Sequence, residues 1–176
     1  MDLQSHGALV EVLGVGVLLL GPSGIGKSEC ALELVRREHR LVADDVVQIS
    51  RRREGRLVGT SPELIRHYME IRGIGLLYIP DLYGEGAVRT ESSIDLVCRL
   101  EEWREGTEFE RVGLERATEE LAGVALPTLR LPARPAGSMA TLVEVAARDW
   151  LQSQRVGSSA AERLDSQLRL TKGASS

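Results

Sequence analysis

Residues 15–28 read VGVLLLGPSGIGKS, an apolar run that breaks into glycines and closes on a lysine and a serine. The run is hydrophobic nearly throughout, as a strand buried on both faces must be. Its continuation, Gly21-Pro22-Ser23-Gly24-Ile25-Gly26-Lys27-Ser28, fits G-x-x-x-x-G-K-[ST], the spacing of a phosphate-binding P-loop. Its glycines permit positive φ and let backbone N–H groups face phosphate oxygens, and the next helix adds the positive end of its dipole. Lys27 reaches the β and γ phosphates of a bound nucleotide, and the Ser28 hydroxyl ligates Mg²⁺. The motif sits between an apolar strand and a helix, the context its chemistry needs. The stretch therefore predicts a nucleoside-triphosphate site in an α/β fold.

Working outward, ALVEV precedes this strand as another, joined at Leu13-Gly14-Val15. SECALELVRREH comes after the loop as a helix, with Ala31, Leu34 and Val35 at helical spacing. RLVADDVVQIS reads as one strand, and RRREGRLVGT as a hairpin turning at Glu54-Gly55. Ser61-Pro62 predicts a helix start, with the helix running through ELIRHYMEIR to Gly73. GLLYIPDL and SIDLVCRL are strands separated by the loop YGEGAVRTES, and beyond Glu101 the chain reads as loop up to PTLRLPARPAGS. LVEVAARDWLQSQ is an amphipathic helix, SAAERLDSQLRL a second, and residues 171–176 a disordered tail. The order predicts an α/β domain over 1–170: a P-loop-containing mixed β-sheet with flanking helices and C-terminal helices.

The 176 residues carry 26 acidic against 22 basic side chains, 43% hydrophobic residues, and only two Trp, three Tyr and one Phe. With no basic field and few rings for stacking, nucleic acid is not expected as a partner. No apolar run is long enough for a membrane span and no signal peptide is evident. Cys30 and Cys98 lie in apolar contexts as core thiols of a reducing compartment, so the expected location is cytoplasmic.

A metal-binding acid is expected near the loop. Asp44 and Asp45, adjacent on a strand, would point to opposite faces. One would then serve Mg²⁺ or hold structure, while the other faces the γ-phosphate as a base. No guanine-reading N-K-x-D motif is present.

SHGALVEVLGVGVLLLGPSGIGKSECALELVRREHRLVADD, LVGTSPELIRHYMEIRGIGLLYI, YGEGAVR, FERVGL and LPARPAGS together resemble the catalytic domain of bacterial HPr kinase/phosphorylase, in family order from about Ser5 to Leu168. The resemblance implies phosphorylation of a serine on the phosphocarrier protein HPr with ATP and Mg²⁺. It also implies the reverse phosphorolysis, in which inorganic phosphate attacks phosphoserine and pyrophosphate leaves. By resemblance His6, Lys27, Asp45 and Arg111 are catalytic, with Asp45 moving the serine proton, and Ser28 and Glu70 hold Mg²⁺. Met69 to Tyr78 resembles a signature involved in both reactions, and Pro132 to Gly137 a loop tied to phosphorolysis. The family also implies a homo-hexamer.

Three departures stand out. The chain begins almost at the histidine, where the family usually carries an N-terminal regulatory domain. Val46 replaces an arginine, and the 132–138 loop has a shifted glycine and one arginine fewer. Two alternatives are a P-loop serine kinase acting on another protein or on free serine, and an ATP-sensing module without catalysis. The combination of Asp45, Arg111 and His6 speaks against the sensor, which needs no base.

Overall fold

A computed structural model of the chain describes residues 2–113, 116–133 and 137–174. In chain order the elements are β1 (Asp2–His6), β2 (Ala8–Val12), β3 (Val15–Leu20), α1 (Lys27–Arg36), β4 (Arg40–Ala43), β5 (Val46–Arg51), β6 (Leu57–Thr60), β7 (Tyr68–Ile71) and β8 (Gly75–Tyr78). They continue with α2 (Ile79–Tyr83), β9 (Glu91–Ser93), β10 (Leu96–Glu102), β11 (Ala117–Leu121), β12 (Val124–Ala133), α3 (Met139–Val156) and α4 (Ala160–Gly173).

The mixed α/β architecture expected from the sequence is present. A six-stranded sheet has the order β11-β12-β10-β3-β2-β4, a four-stranded sheet the order β1-β5-β6-β9, and β7 and β8 form a separate hairpin. β10 runs parallel to both β3 and β12, while β2 is antiparallel to β3 and to β4. Two antiparallel steps make β4 parallel to the P-loop strand β3, with β2 lying between them.

Alternation explains why β2 and β3 are apolar on both faces. Ala8, Val10, Val12, Val15, Val17 and Leu19 share a core with Ala31 and Leu34 of α1 and Val143 and Ala147 of α3. Leu9, Leu18 and Leu20 instead pack on Val47, Ile49 and Leu57 of the smaller sheet. At β2 and β3 the large sheet is thus covered by helices on one face and by a second sheet on the other, which leaves these two strands no solvent-facing side.

The predicted strand RLVADDVVQIS is two strands. β4 ends at Ala43 in the large sheet, and β5 begins at Val46 in the small one. β1 and β2 make the same change of sheet at Gly7, whose N–H donates to the Asp45 carbonyl over 3.0 Å. A Cβ at Gly7 would lie 2.5 Å from the Leu19 carbonyl oxygen, so only glycine lets the two chain crossings approach here.

Other expectations are corrected. The helix predicted from Ser61 to Gly73 is a 3₁₀ turn at Glu63–Ile65 followed by β7. His67, at φ 69°, interrupts any helix, and buried Met69 and Ile71 alternate with exposed Tyr68 and Glu70, a period of two. GLLYIPDL is strand only to Tyr78, after which α2 begins with proline in its first turn. β9 takes the last two residues of the predicted loop YGEGAVRTES and the first of the predicted strand SIDLVCRL, and β11 and β12 lie in the stretch read as loop. α4 continues through Gly173, past the expected start of a tail at 171. Among the described residues, no helix is long and apolar enough to cross a membrane.

Candidate active site

The loop after β3 and the start of α1 form one wall of a cleft of about 380 Å³. Gly26, the residue before α1, has φ 107°, a left-handed conformation that suits glycine and delivers Lys27 directly into the helix. Lys27 Nζ donates to the carbonyl oxygens of Gly21 (2.7 Å) and Pro22 (3.0 Å), which holds the ammonium over the loop.

Ser28 Oγ lies 2.9 and 3.0 Å from the two carboxylate oxygens of Asp44. Asp44 is 6% exposed. Burial pushes its carboxyl up to about 6, against the opposing effect of the Ser28 bond. Asp45 is exposed, and its backbone is unlike that of a strand: φ is 69°, and the Val46 N–H donates to the Asp44 carbonyl over 2.8 Å. That i+2 to i bond around a positive-φ residue is the strained form of the γ-turn. The turn removes the alternation expected of adjacent strand residues, and both aspartates line the same cleft.

β7 forms part of the opposite wall, where Tyr68, Glu70 and Arg72 join Leu76 and Ile65. Glu70 reaches it because the two-residue period of β7 turns Met69 and Ile71 into the core. The cleft therefore brings together Ser23, Gly24, Gly26, Lys27, Ser28, Asp45 and Glu70 of the sequence-derived candidates. Arg72 was not singled out from sequence, although it lies inside the Met69–Tyr78 signature. A cation beside acidic and glycine-loop residues was its only signal.

Other candidates sit elsewhere. His6, exposed at the end of β1, pairs in register with Val46 and so neighbours the Asp44-Asp45 corner through the backbone, but it is not among the residues lining the cleft. Gly21 carries the Lys27 contact from beneath, while Pro22 and Ile25 face a second cavity on the other side of the loop. Arg111 lines a third cavity, with Phe109, Arg116, Arg130 and Asp149. Of the 132–138 loop, Arg134, Pro135 and Ala136 lie outside the described residues.

The donor set fits a hard divalent cation. Ser28, Asp44 and Glu70 offer a hydroxyl and two carboxylates to one cleft, and Mg²⁺ takes one or two carboxylates and completes its shell with phosphate and water. Among the described residues, no group of three or more His, Cys, Asp or Glu side chains is placed to hold a metal ion.

Residues 1–168 match the family model described as HPr Serine kinase C-terminal domain. An HPr kinase/phosphorylase from Thermoanaerobacter sp. (strain X514) is 55% identical over 163 residues, covering 93% of this chain and 53% of the relative. One from Bacillus pumilus is 48% identical, covering 93% and 52%. The chain thus spans about half the length of these curated relatives. The solved Hpr(Ser) kinase/phosphatase from Coxiella burnetii superposes with a TM-score of 0.80 at 28% identity, covering 96% of this chain and 98% of that one.

Proposed function

Because this chain belongs to the HPr serine kinase C-terminal domain family, we propose that it catalyses ATP- and Mg²⁺-dependent phosphorylation of a serine on HPr, and the reverse phosphorolysis. The observation that carries this reading is the convergence of Lys27, Ser28, Asp44, Asp45 and Glu70 on one cleft. Such an arrangement supplies phosphate cradle, metal ligands and base together.

In the forward direction the acceptor serine oxygen attacks the γ-phosphorus as Asp45 takes its proton. The new O–P bond forms as the bond to the β-phosphate oxygen breaks and ADP leaves. General-base assistance of this kind contributes about 10²–10⁴-fold. Ser28 and Glu70, with Asp44 behind Ser28, would hold Mg²⁺, which would supply neutralisation of phosphate charge. Lys27 leaves its loop carbonyls for phosphate oxygens and stabilises the transferring group. In reverse, an oxygen of inorganic phosphate attacks the phosphoserine phosphorus. The serine O–P bond then breaks, Asp45 returns the proton to the serine oxygen, and pyrophosphate departs.

His6 is assigned here to the edge of the acceptor site, as a neighbour of the Asp45 corner. Arg111 would assist only from a position closer to the cleft than the one it holds. The two buried, unpaired thiols support a reducing cytoplasmic setting. A homo-hexamer is the proposed assembly, supported by α4, which buries no residue while Leu164, Leu168 and Leu170 are exposed. Light scattering at micromolar concentration should then report an oligomer; a monomer alone would remove this part of the proposal.

The deciding experiment is intact-mass analysis of HPr incubated with the protein, ATP and Mg²⁺. One added phosphoryl group is expected, absent with Lys27→Ala. No gain with wild type, while ATP still binds, would send the search to another acceptor.

A further inference from the structure

The two directions of the proposed reaction differ in the charge that the cleft must receive. A serine hydroxyl enters uncharged, whereas a phosphoserine brings a charge of about −1.5 to −2 at neutral pH. Glu29, Asp44, Asp45 and Glu70 line the cleft it enters, and carboxylates oppose that charge at close range. Lys27 and Arg72 are the cations among the described lining residues. They stand on different walls. Lys27 begins α1 on the P-loop side, while Arg72 follows the last residue of β7 on the hairpin side.

The alternation of β7 carries Arg72 to this place. Met69 and Ile71 turn into the core, so Glu70 and the exposed Arg72 belong to the opposite, cleft-lining face. Arg37, Arg99, Arg116 and Arg130 each pair with a carboxylate. Arg72 makes no ion pair or hydrogen bond among the described residues, although Glu70 shares its face.

Reversibility fixes the order of the anions. In phosphorolysis, inorganic phosphate takes the place that the β-phosphate of ATP holds in phosphorylation, against the loop and Lys27. The phosphoryl group of phosphoserine takes the γ place, farther from the loop and toward Asp45. We propose that Arg72 is the receptor for that phosphoryl group, its guanidinium fork donating to two phosphate oxygens as the phosphorylated acceptor enters. The transfer then balances as before: a phosphate oxygen bonds to phosphorus, the serine O–P bond breaks, and the serine oxygen gains the proton from Asp45. Arg72 binds and exchanges no proton. This rests on the reading of the cleft as a reversible HPr kinase site, and it names the residue that tells the phosphorylated acceptor from the unphosphorylated one.

Because Arg72 is exposed, Arg72→Met removes the charge and keeps an unbranched stem without touching the core. The test is calorimetric titration of the full protein with Mg²⁺ and without inorganic phosphate, so that nothing turns over. One probe is HPr; the other is HPr with phosphoserine installed at the acceptor position during its synthesis. Arg72→Met should weaken phosphoserine-HPr by about tenfold or more (~1.4 kcal/mol per decade) and leave HPr unchanged. Arg72→Lys should fall between wild type and Arg72→Met, since an ammonium supplies the charge without the fork. Equal weakening of both probes would make Arg72 a general docking contact and overturn the proposal, as would unchanged affinity for both. The two readings fail separately. Wild type that binds neither probe sinks the HPr reading and this assignment with it. Wild type that binds both, with the difference between them kept in Arg72→Met, sinks the assignment alone.

Discussion

Asp45 shows how much of this site depends on one backbone angle. At φ 69° it occupies a region that costs a non-glycine residue about 1–3 kcal/mol. The exposed side chain makes no packing contribution that would offset this. The strain turns the carboxylate into the cleft beside Asp44. Asp45→Gly should therefore raise the denaturant midpoint, with a gain of about 1 kcal/mol, while lowering phosphoryl transfer by ~10²–10⁴-fold. Equilibrium unfolding and single-turnover kinetics on the same preparation would check both halves. A variant that loses activity and stability together would show that the turn is held for the fold and not for the base.

At the scale of elements, the site is a corner where two strands change sheets, and Gly7 is its tightest point. Gly7→Ala places a methyl against the Leu19 carbonyl. Overpacking of this kind costs about 1–3 kcal/mol. The Gly7-to-Asp45 backbone bond should be strained open with it, so activity falls although no catalytic side chain has changed. Loss of protection at the Gly7 amide in hydrogen exchange, ahead of β3 amides, is the expected signature. This corner also marks the boundary of what the sequence tells. β2, β3, α1 and α3 were legible because each carries an unbroken apolar period, and the P-loop because its spacing is specific. The break at Asp44-Asp45 was not, since nothing in LVADDVVQIS distinguishes one long strand from two strands on different sheets. β7 was hidden by helix formers: ELIRHYMEIR scans as a helix until the two-residue alternation from Tyr68 to Ile71 is given priority. β11 is an exposed, acidic edge strand, and β12 carries Pro127 within it, so neither resembles the strands a propensity scan finds. Consequently Glu70 was placed on a helix when it projects from a strand. The membership of Lys27, Ser28 and Asp45 in one site was readable, but the Asp44–Ser28 pairing needed coordinates.

At the scale of the whole molecule, the core that supports the P-loop contains both cysteines. Cys30 of α1 and Cys98 of β10 belong to the same apolar cluster, and burial pushes each thiol up to about 12 from its ordinary value of 9.0. For Cys30 the neighbouring Glu33 charge adds to this, with Arg37 opposing. Both thiols should resist alkylation at pH 8 in the native protein and react together on unfolding. The linkage has a definite sign. The folded pKa values are raised, so the folded state keeps two protons that the unfolded chain gives up above pH 9. The thiol contribution is constant below that point and is lost as pH climbs toward 12. The loss grows by about 1.4 kcal/mol per pH unit for each cysteine that is ionised only when unfolded. Other groups titrate in this range, so the measurement is a difference: unfolding free energy of wild type minus that of the Cys30→Ala, Cys98→Ala double variant, from pH 8 to pH 11. Below pH 9 the difference should be flat, reflecting only the lost packing. Above it, wild type should lose ground to the variant. A difference that stays flat to pH 11 would mean that the thiols ionise within the fold, and that the helix layer beneath the P-loop admits water.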